Sequence, residues 1–193
     1  MTFLTDFALF PVILVGLTSL VLLFYPNWRW TLLAVAVQYL AVAWLVSLNW
    51  PIGLAAVKLV VGWMAGAVLS TIQASADASI EPISGRLFRL IAAALLLVVI
   101  FTLPESAQAW LQVTRPVFWG AMILAGIGLL QISMTSNPLR MVLGLLTFLA
   151  GFEVLYAALE FSVLVAGLMA AINLGLALAG TYLLSRPGPK ESG

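Results

Sequence analysis

The chain has 193 residues, of which 64% are hydrophobic and only 8% are charged. Soluble domains carry about 25% charged residues, so this composition excludes an ordinary soluble domain and a disordered chain. A net charge of +1 excludes the basic footprint of a nucleic-acid-binding protein. Cysteine and histidine are both absent, which excludes disulfides, Cys/His metal sites, His-ligated haem, and Cys or His catalysis. We therefore interpret the sequence as an all-α polytopic integral membrane protein.

The apolar residues fall into about seven segments of membrane-spanning length, since a hydrocarbon core of about 30 Å needs about 20 residues per helix. Most breaks carry Pro or Asn, which favour turns and helix starts. The weakest break is the one between the sixth and seventh segments, where only Glu160 and Ser162 are polar. The predicted spans, in chain order, are Phe7–Phe24, Trp30–Leu48, Pro51–Ile72, Leu87–Leu103, Val117–Met134, Pro138–Leu159 and Phe161–Leu184.

We predict a single membrane domain, with four spans in residues 1–104 and three in residues 105–193. The first span is not expected to be a cleavable signal peptide, because no Lys or Arg precedes it and no small-residue cleavage motif follows it. The longest connections are a polar loop at Ser75–Gly85 and a segment at Glu105–Arg115, for which we predict a short interfacial helix seated by Trp110 and Leu111. Neither connection is long enough for a soluble domain, so we expect no catalytic function in this chain, and no cofactor or metal.

The basic residues near the predicted helix ends predict the orientation of the chain in the membrane. Alternating spans put six basic residues on one side and Arg115 alone on the other. An excess of Lys and Arg marks the cytoplasmic side, so we predict an outside N-terminus and a cytoplasmic C-terminus. The six residues on the predicted cytoplasmic side are Arg29, Arg86, Arg89, Arg140, Arg186 and Lys190.

Four polar residues lie inside the predicted spans, where a charge is expensive. At about 1.5 Å of rise per residue, Lys58 on the third span and Glu153 on the sixth lie at matching depths of about 10 Å. Gln38 and Asn173 lie deeper, near the midplane, which predicts polar groups at two levels. Since an isolated buried charge is costly, we expect the Lys58 and Glu153 side chains to approach within salt-bridge or single-water distance.

Two interpretations of these four residues remain open. In the first, they form an intramembrane polar axis for protons or sodium, with Gln38 and Asn173 as uncharged relays. In the second, Lys58 and Glu153 are a structural ion pair, and the two amides are interhelical hydrogen-bonding groups. The residues alone favour the second interpretation, because a conduction path usually needs several titratable groups in series.

Glycines in the spans predict close packing between helices. Gly62 and Gly66 form a GxxxG pattern on the third span, which allows two helices to approach closely. Gly126, Gly128 and Gly175 are likewise interpreted as positions where a neighbouring helix packs against the backbone.

Residues 117–186 resemble subunit K of NADH-quinone oxidoreductase and the C subunit of Mrp antiporters. The shared features are three closely spaced helices, an Asn-x-x-Arg turn at Asn137–Arg140, "LGL" at Leu143–Leu145 and "GLAL" at Gly175–Leu178. Over nearly its whole length, the chain resembles hydrogenase-4 component E, a seven-span relative. That resemblance depends on "LTSL" at Leu17–Leu20, on Gln38 and Lys58, and on the Asn-x-Leu-Arg turn.

The resemblance implies a multi-pass subunit of the cell inner membrane that assembles with other membrane subunits, antiporter-like in character. It implies an ion-translocating or redox-coupled complex to which this chain supplies scaffold helices. Where these families carry glutamates, this chain has Leu146, Leu149 and Ala171. Whether the chain contributes to a polar ion path therefore stays open. The alternatives are a stand-alone small permease or channel, and a membrane anchor or assembly protein without an ion role.

Overall fold

The computed structural model describes residues 7–25, 27–71, 83–102 and 110–185. Within these ranges the chain forms seven α-helices and no strand, as the sequence predicts. The helices are α1 (Leu9–Phe24), α2 (Trp28–Ser47), α3 (Ile52–Ser70), α4 (Ile83–Thr102), α5 (Arg115–Ser133), α6 (Pro138–Leu159) and α7 (Val163–Ser185).

Six of these helices, α2 to α7, are long and apolar enough to cross a membrane, and α1 is a shorter apolar helix of 16 residues. The start of α6 at Pro138 agrees with the prediction because Asn137 caps it: its side-chain oxygen accepts from the backbone N–H groups of Leu139 and Arg140. The predicted turn between the last two spans is confirmed, since α6 ends at Leu159 and α7 begins at Val163.

Two predicted connections differ from the structure. The helix α4 begins at Ile83, inside the predicted loop Ser75–Gly85, because a helix can extend past the apolar stretch on which the prediction depended. Arg115, predicted to end the external segment, is the first residue of α5. Most of that segment lies outside the described residues. The short helical stretch at Trp110 and Leu111 ends at Gln112, whose φ of 54° is left-handed.

The helices pack as a closed ring with one helix attached outside it. Around the ring, α1 packs against α2, α2 against α3, α3 against α7, α7 against α6, α6 against α5, and α5 against α1. The helices α2 and α6 also contact each other across the ring, and α4 packs mainly against α5. This order places α3, α6 and α7 side by side, and these are the helices that carry Lys58, Glu153 and Asn173.

The tightest contact joins α5 and α6, and glycines make it possible. A Cβ on Gly151 would lie 2.6 Å from the backbone nitrogen of Ala125, and one on Gly128 would lie 2.8 Å from the carbonyl oxygen of Gly144. Only hydrogen fits at such distances, so the two backbones pack directly. The predicted role of Gly128 in packing is thus confirmed, whereas that of Gly175 is wrong, because nothing lies within 4 Å of a Cβ placed there.

Hydrogen bonds at both ends of the bundle agree with alternating helix directions. At one end, the Arg89 guanidinium donates to the carbonyl of Met134 at 2.9 Å, and Arg140 donates to the carbonyl of Tyr25 at 3.4 Å. At the other end, the indole of Trp50 donates to the carbonyl of Glu160 at 3.1 Å. The four predicted cytoplasmic arginines within the described residues therefore belong to one end, while Arg186 and Lys190 lie outside those residues.

Candidate functional site

The candidate site is a buried polar cluster where α3, α6 and α7 meet. Lys58 lies six residues after the start of α3, and Glu153 lies six residues before the end of α6. Because α3 begins and α6 ends at the same end of the bundle, the two residues lie at a similar depth of about 9 Å. The α2–α3 turn and the α6–α7 turn are held together there by the bond from Trp50 to Glu160.

Lys58 and Glu153 form a direct ion pair, which confirms the predicted approach of their side chains. The Lys58 Nζ and the Glu153 Oε1 are 2.8 Å apart, and their side chains are 3% and 1% exposed. The same ammonium group donates to the carbonyl oxygen of Ala166 on α7 at 3.5 Å. Removing either charge would leave the other without its counter-ion in a low-dielectric interior, which is strongly unfavourable.

Asn173 joins this ion pair directly. Its Nδ2 donates to the Glu153 Oε1 at 2.8 Å, and its side chain is fully buried. The prediction of two separate polar levels is therefore wrong for Asn173. Side chains lean toward the N-terminus of their own helix, and α6 and α7 run in opposite directions. Glu153 thus leans toward the middle of the membrane, whereas Asn173 leans toward the start of α7. The two side chains therefore meet although their backbone positions differ in depth.

Gln38 is buried as well, but it bonds elsewhere. Its Nε2 donates to the Oγ of Ser19 on α1 at 3.2 Å. The described hydrogen bonds do not connect Gln38 to the Lys58–Glu153–Asn173 cluster. Gln38 therefore links α1 to α2, and the four predicted site residues separate into one cluster of three and one outlying amide.

Three buried polar atoms near the cluster have no hydrogen-bond partner in the described part of the chain: the Glu153 Oε2, the Asn173 Oδ1 and the Tyr39 hydroxyl oxygen. Tyr39 is 2% exposed, and its ring packs over Gly62, one turn beyond Lys58 on α3. Sequence analysis missed Tyr39. The available signal was the glycine at Gly62, which leaves room for an aromatic ring on the α3 face that carries Lys58.

Two further buried polar residues tie helix ends together. Sequence analysis did not single out Gln131, and it used Arg89 only to predict the orientation of the chain. Gln131 donates from its Nε2 to the carbonyl of Arg140 at 3.0 Å, which closes the α5–α6 turn. Arg89, 8% exposed, donates to the carbonyl of Met134 at the end of α5. The Arg89 contact satisfies a carbonyl that the end of α5 leaves without an intrahelical partner, and the Gln131 contact fastens α5 to the first turn of α6. We therefore assign both contacts a structural role.

The chemistry available to the cluster follows from its atoms. Within the described ranges, no group of three or more Asp or Glu side chains could hold a metal ion. The ion pair is neutral overall, and the second carboxylate oxygen of Glu153 can accept a hydrogen bond from a water molecule or a hydroxyl group. The cluster therefore holds three helices together and retains unused acceptor capacity deep in the bundle.

Comparison of the chain with protein-family models, with curated proteins and with solved structures gives no match.

Proposed function

We propose that the chain is a non-catalytic integral membrane subunit of an ion-translocating or redox-coupled complex related to complex I, group 4 hydrogenases and Mrp antiporters. In this role it supplies scaffold helices, and the Lys58–Glu153–Asn173 cluster supplies a polar element inside the membrane. Other membrane subunits, antiporter-like in character, would be its partners.

The observation that carries this proposal is the buried ion pair between Lys58 and Glu153. Ionisable residues inside a membrane are rare, and they mark ion pathways or essential interhelical contacts. Here the pair joins α3 to α6, and Asn173 extends it to α7. A protein that only anchored others to the bilayer would gain little from such a costly arrangement.

The resemblance to subunit K gives further support, because its motifs lie at the start of α6, on α6 and on α7. On α6, Leu146 occupies a position where that family carries a glutamate, and Glu153 lies two turns further along the same buried face. On α7, Ala171 occupies the other glutamate position and is exposed, whereas Asn173 is buried. Glu153 and Asn173 thus lie on the interior faces of the two helices that resemble the glutamate-bearing helices of subunit K, but at different positions along those helices.

The first experiment tests the assembly. The chain would be purified from its native membrane in a mild detergent, and the co-migrating proteins would be identified. We expect antiporter-like or redox subunits in stoichiometric amounts. Recovery of the chain alone, in a folded state and from membranes in which it is not overproduced, would contradict the proposal and favour a stand-alone permease or channel.

The second experiment separates scaffold from conduction. Proton or sodium translocation would be measured in vesicles that contain the assembled complex with Lys58→Met and Glu153→Gln combined. Thr181→Val serves as the control, because Thr181 bonds only backbone carbonyls. Translocation at the control level would restrict the cluster to a scaffold role, whereas a loss confined to the double variant in a fully assembled complex would assign it to the ion path.

A further inference from the structure

Two oxygen atoms of the Lys58–Glu153–Asn173 cluster are buried and have no hydrogen-bond partner among the described residues. They are the Glu153 Oε2 on α6 and the Asn173 Oδ1 on α7. Glu153 is 3% exposed and Asn173 is 0% exposed. A buried acceptor without a donor is costly, and most such atoms in native proteins bond to the protein or to ordered water. The two oxygens therefore need a donor that the described contacts do not supply.

Both oxygens are acceptors, and the geometry keeps them so. The carboxylate oxygen of Glu153 cannot donate while the group is ionised. The Asn173 amide cannot turn over to present its nitrogen instead, because its Nδ2 donates to the Glu153 Oε1 at 2.8 Å. A turned amide would place the Asn173 Oδ1 against that carboxylate oxygen. Whatever binds to the two oxygens must therefore donate hydrogen bonds.

The neighbouring donors of the protein do not meet this need. The Lys58 Nζ bonds to the other carboxylate oxygen, the Glu153 Oε1, at 2.8 Å and to the carbonyl oxygen of Ala166 at 3.5 Å. Tyr39 lies near the cluster, but its hydroxyl is itself without a partner among the described residues, so it donates to neither oxygen. The missing donor is thus a separate molecule.

The charge of the cluster distinguishes a cation from a neutral donor. The Lys58 ammonium and the Glu153 carboxylate form a direct pair whose charges cancel. A metal or ammonium ion bound beside them would leave a net positive charge inside the membrane, which is costly. A water molecule is neutral, and its two O–H groups equal the two acceptors in number.

The two oxygens are also close enough for one molecule to reach both. The Glu153 Oε2 shares its carbon atom with the Oε1, and the Asn173 Oδ1 shares its carbon atom with the Nδ2. The Oε1 and the Nδ2 are only 2.8 Å apart. A water molecule that makes two hydrogen bonds of about 2.8 Å can bridge acceptors separated by about 5 Å, which is a spacing that these short linkages allow.

Small residues surround Glu153 and Asn173 on their own helices. On a helix, the residues three positions before and four positions after a given residue lie on the same face. Around Glu153 and Asn173 all four of these positions hold alanine, whereas larger side chains would fill the space beside the carboxylate and the amide. The four residues are Ala150 and Ala157 on α6, and Ala170 and Ala177 on α7.

We propose that an internal water molecule binds between α6 and α7, where it donates one hydrogen bond to the Glu153 Oε2 and the other to the Asn173 Oδ1. The water adds a second polar link between the two helices beside the direct bond from Asn173 to Glu153. The proposal does not depend on the proposed function, because the two acceptors need a donor in a scaffold as much as in an ion path.

The test is X-ray diffraction from the full chain, purified with any accompanying subunits and crystallised from a lipid mesophase without sodium, at a resolution that shows ordered water. We expect a density peak about 2.5–3.0 Å from both the Glu153 Oε2 and the Asn173 Oδ1. The absence of that peak would overturn the proposal. So would a peak that forms only when sodium is present, or a peak that bonds to only one of the two oxygens.

Variants test the assignment of the two acceptors. Asn173→Leu should remove the peak, whereas Thr181→Val, a control on the same helix, and Tyr39→Phe should retain it. Lys58→Met combined with Glu153→Gln should also retain it, because water accepts a hydrogen bond from the new amide nitrogen as readily as it donates one to a carboxylate. An undiminished peak in Asn173→Leu, or its loss in Tyr39→Phe or in the double variant, would contradict the assignment.

Discussion

Breaking the Lys58–Glu153 ion pair from one side should destabilise the bundle far more than removing both charges. Lys58→Met leaves the Glu153 carboxylate buried with Asn173 as its remaining donor, and Glu153→Gln leaves the Lys58 ammonium without a counter-ion. For side chains that are 3% and 1% exposed, each single variant should lower the free energy of unfolding by about 3–5 kcal/mol. The double variant should lose less than either single variant, because no uncompensated charge remains.

The assay is unfolding of the purified chain by a denaturing detergent, with the folded fraction followed by tryptophan fluorescence. It is applied to the native chain, the two single variants and the double variant. Thr181→Val is a matched control on α7, since it removes a hydroxyl group that bonds backbone carbonyls. The control should change the free energy of unfolding by less than about 1 kcal/mol. Additive effects of the two single variants would refute the reasoning, since additivity would mean that the two charges do not interact.

Four further predictions follow, three from the surroundings of single side chains and one from the distribution of basic residues. Asn173→Leu should lower the free energy of unfolding by about 1.5–3 kcal/mol, because the hydrogen bond to the Glu153 carboxylate is lost. Tyr39→Phe should be neutral or stabilising in the same unfolding assay, because the Tyr39 hydroxyl has no hydrogen-bond partner among the described residues. Gly128→Ala should reduce the yield of folded protein in detergent, since its Cβ would overlap the backbone of α6, while Gly175→Ala should match the native yield. A topology reporter inserted in residues 75–82, within the predicted loop Ser75–Gly85, should report the cytoplasmic side, and an external result would reverse the predicted orientation.

The helices and the central ion pair could be predicted because both depend on position along the chain. Apolar length and turn residues located the spans, and the residue count from each helix end placed Lys58 and Glu153 at the same depth. Two opposite charges at one depth inside a membrane have a strong reason to meet. The same count failed for Asn173, because it measures the position of the backbone and ignores the direction in which the side chain leans.

The partners of Gln38 and the presence of Tyr39 depend on how each helix is rotated and on which helices are neighbours. The polar and apolar residues of α2 are spread around the helix, so the sequence does not show which face turns toward α1. Gln38 therefore found a partner in Ser19 that depth alone did not indicate. Likewise, Tyr39 could be connected with the cluster only once α2 and α3 were known to pack with its ring over Gly62.

The position of the cluster also affects how any test of conduction must be read. Lys58 belongs to the first four helices and Glu153 and Asn173 to the last three, so the cluster is a contact between the two parts of the chain. A single substitution there would disturb assembly and any ion path at the same time, and lost translocation alone would not tell them apart. The double variant avoids this ambiguity, because it removes both charges and leaves the amide–amide contact between positions 153 and 173 available. Only a complex that assembles normally with this variant, and is then assayed for translocation, distinguishes a scaffold from a conductor.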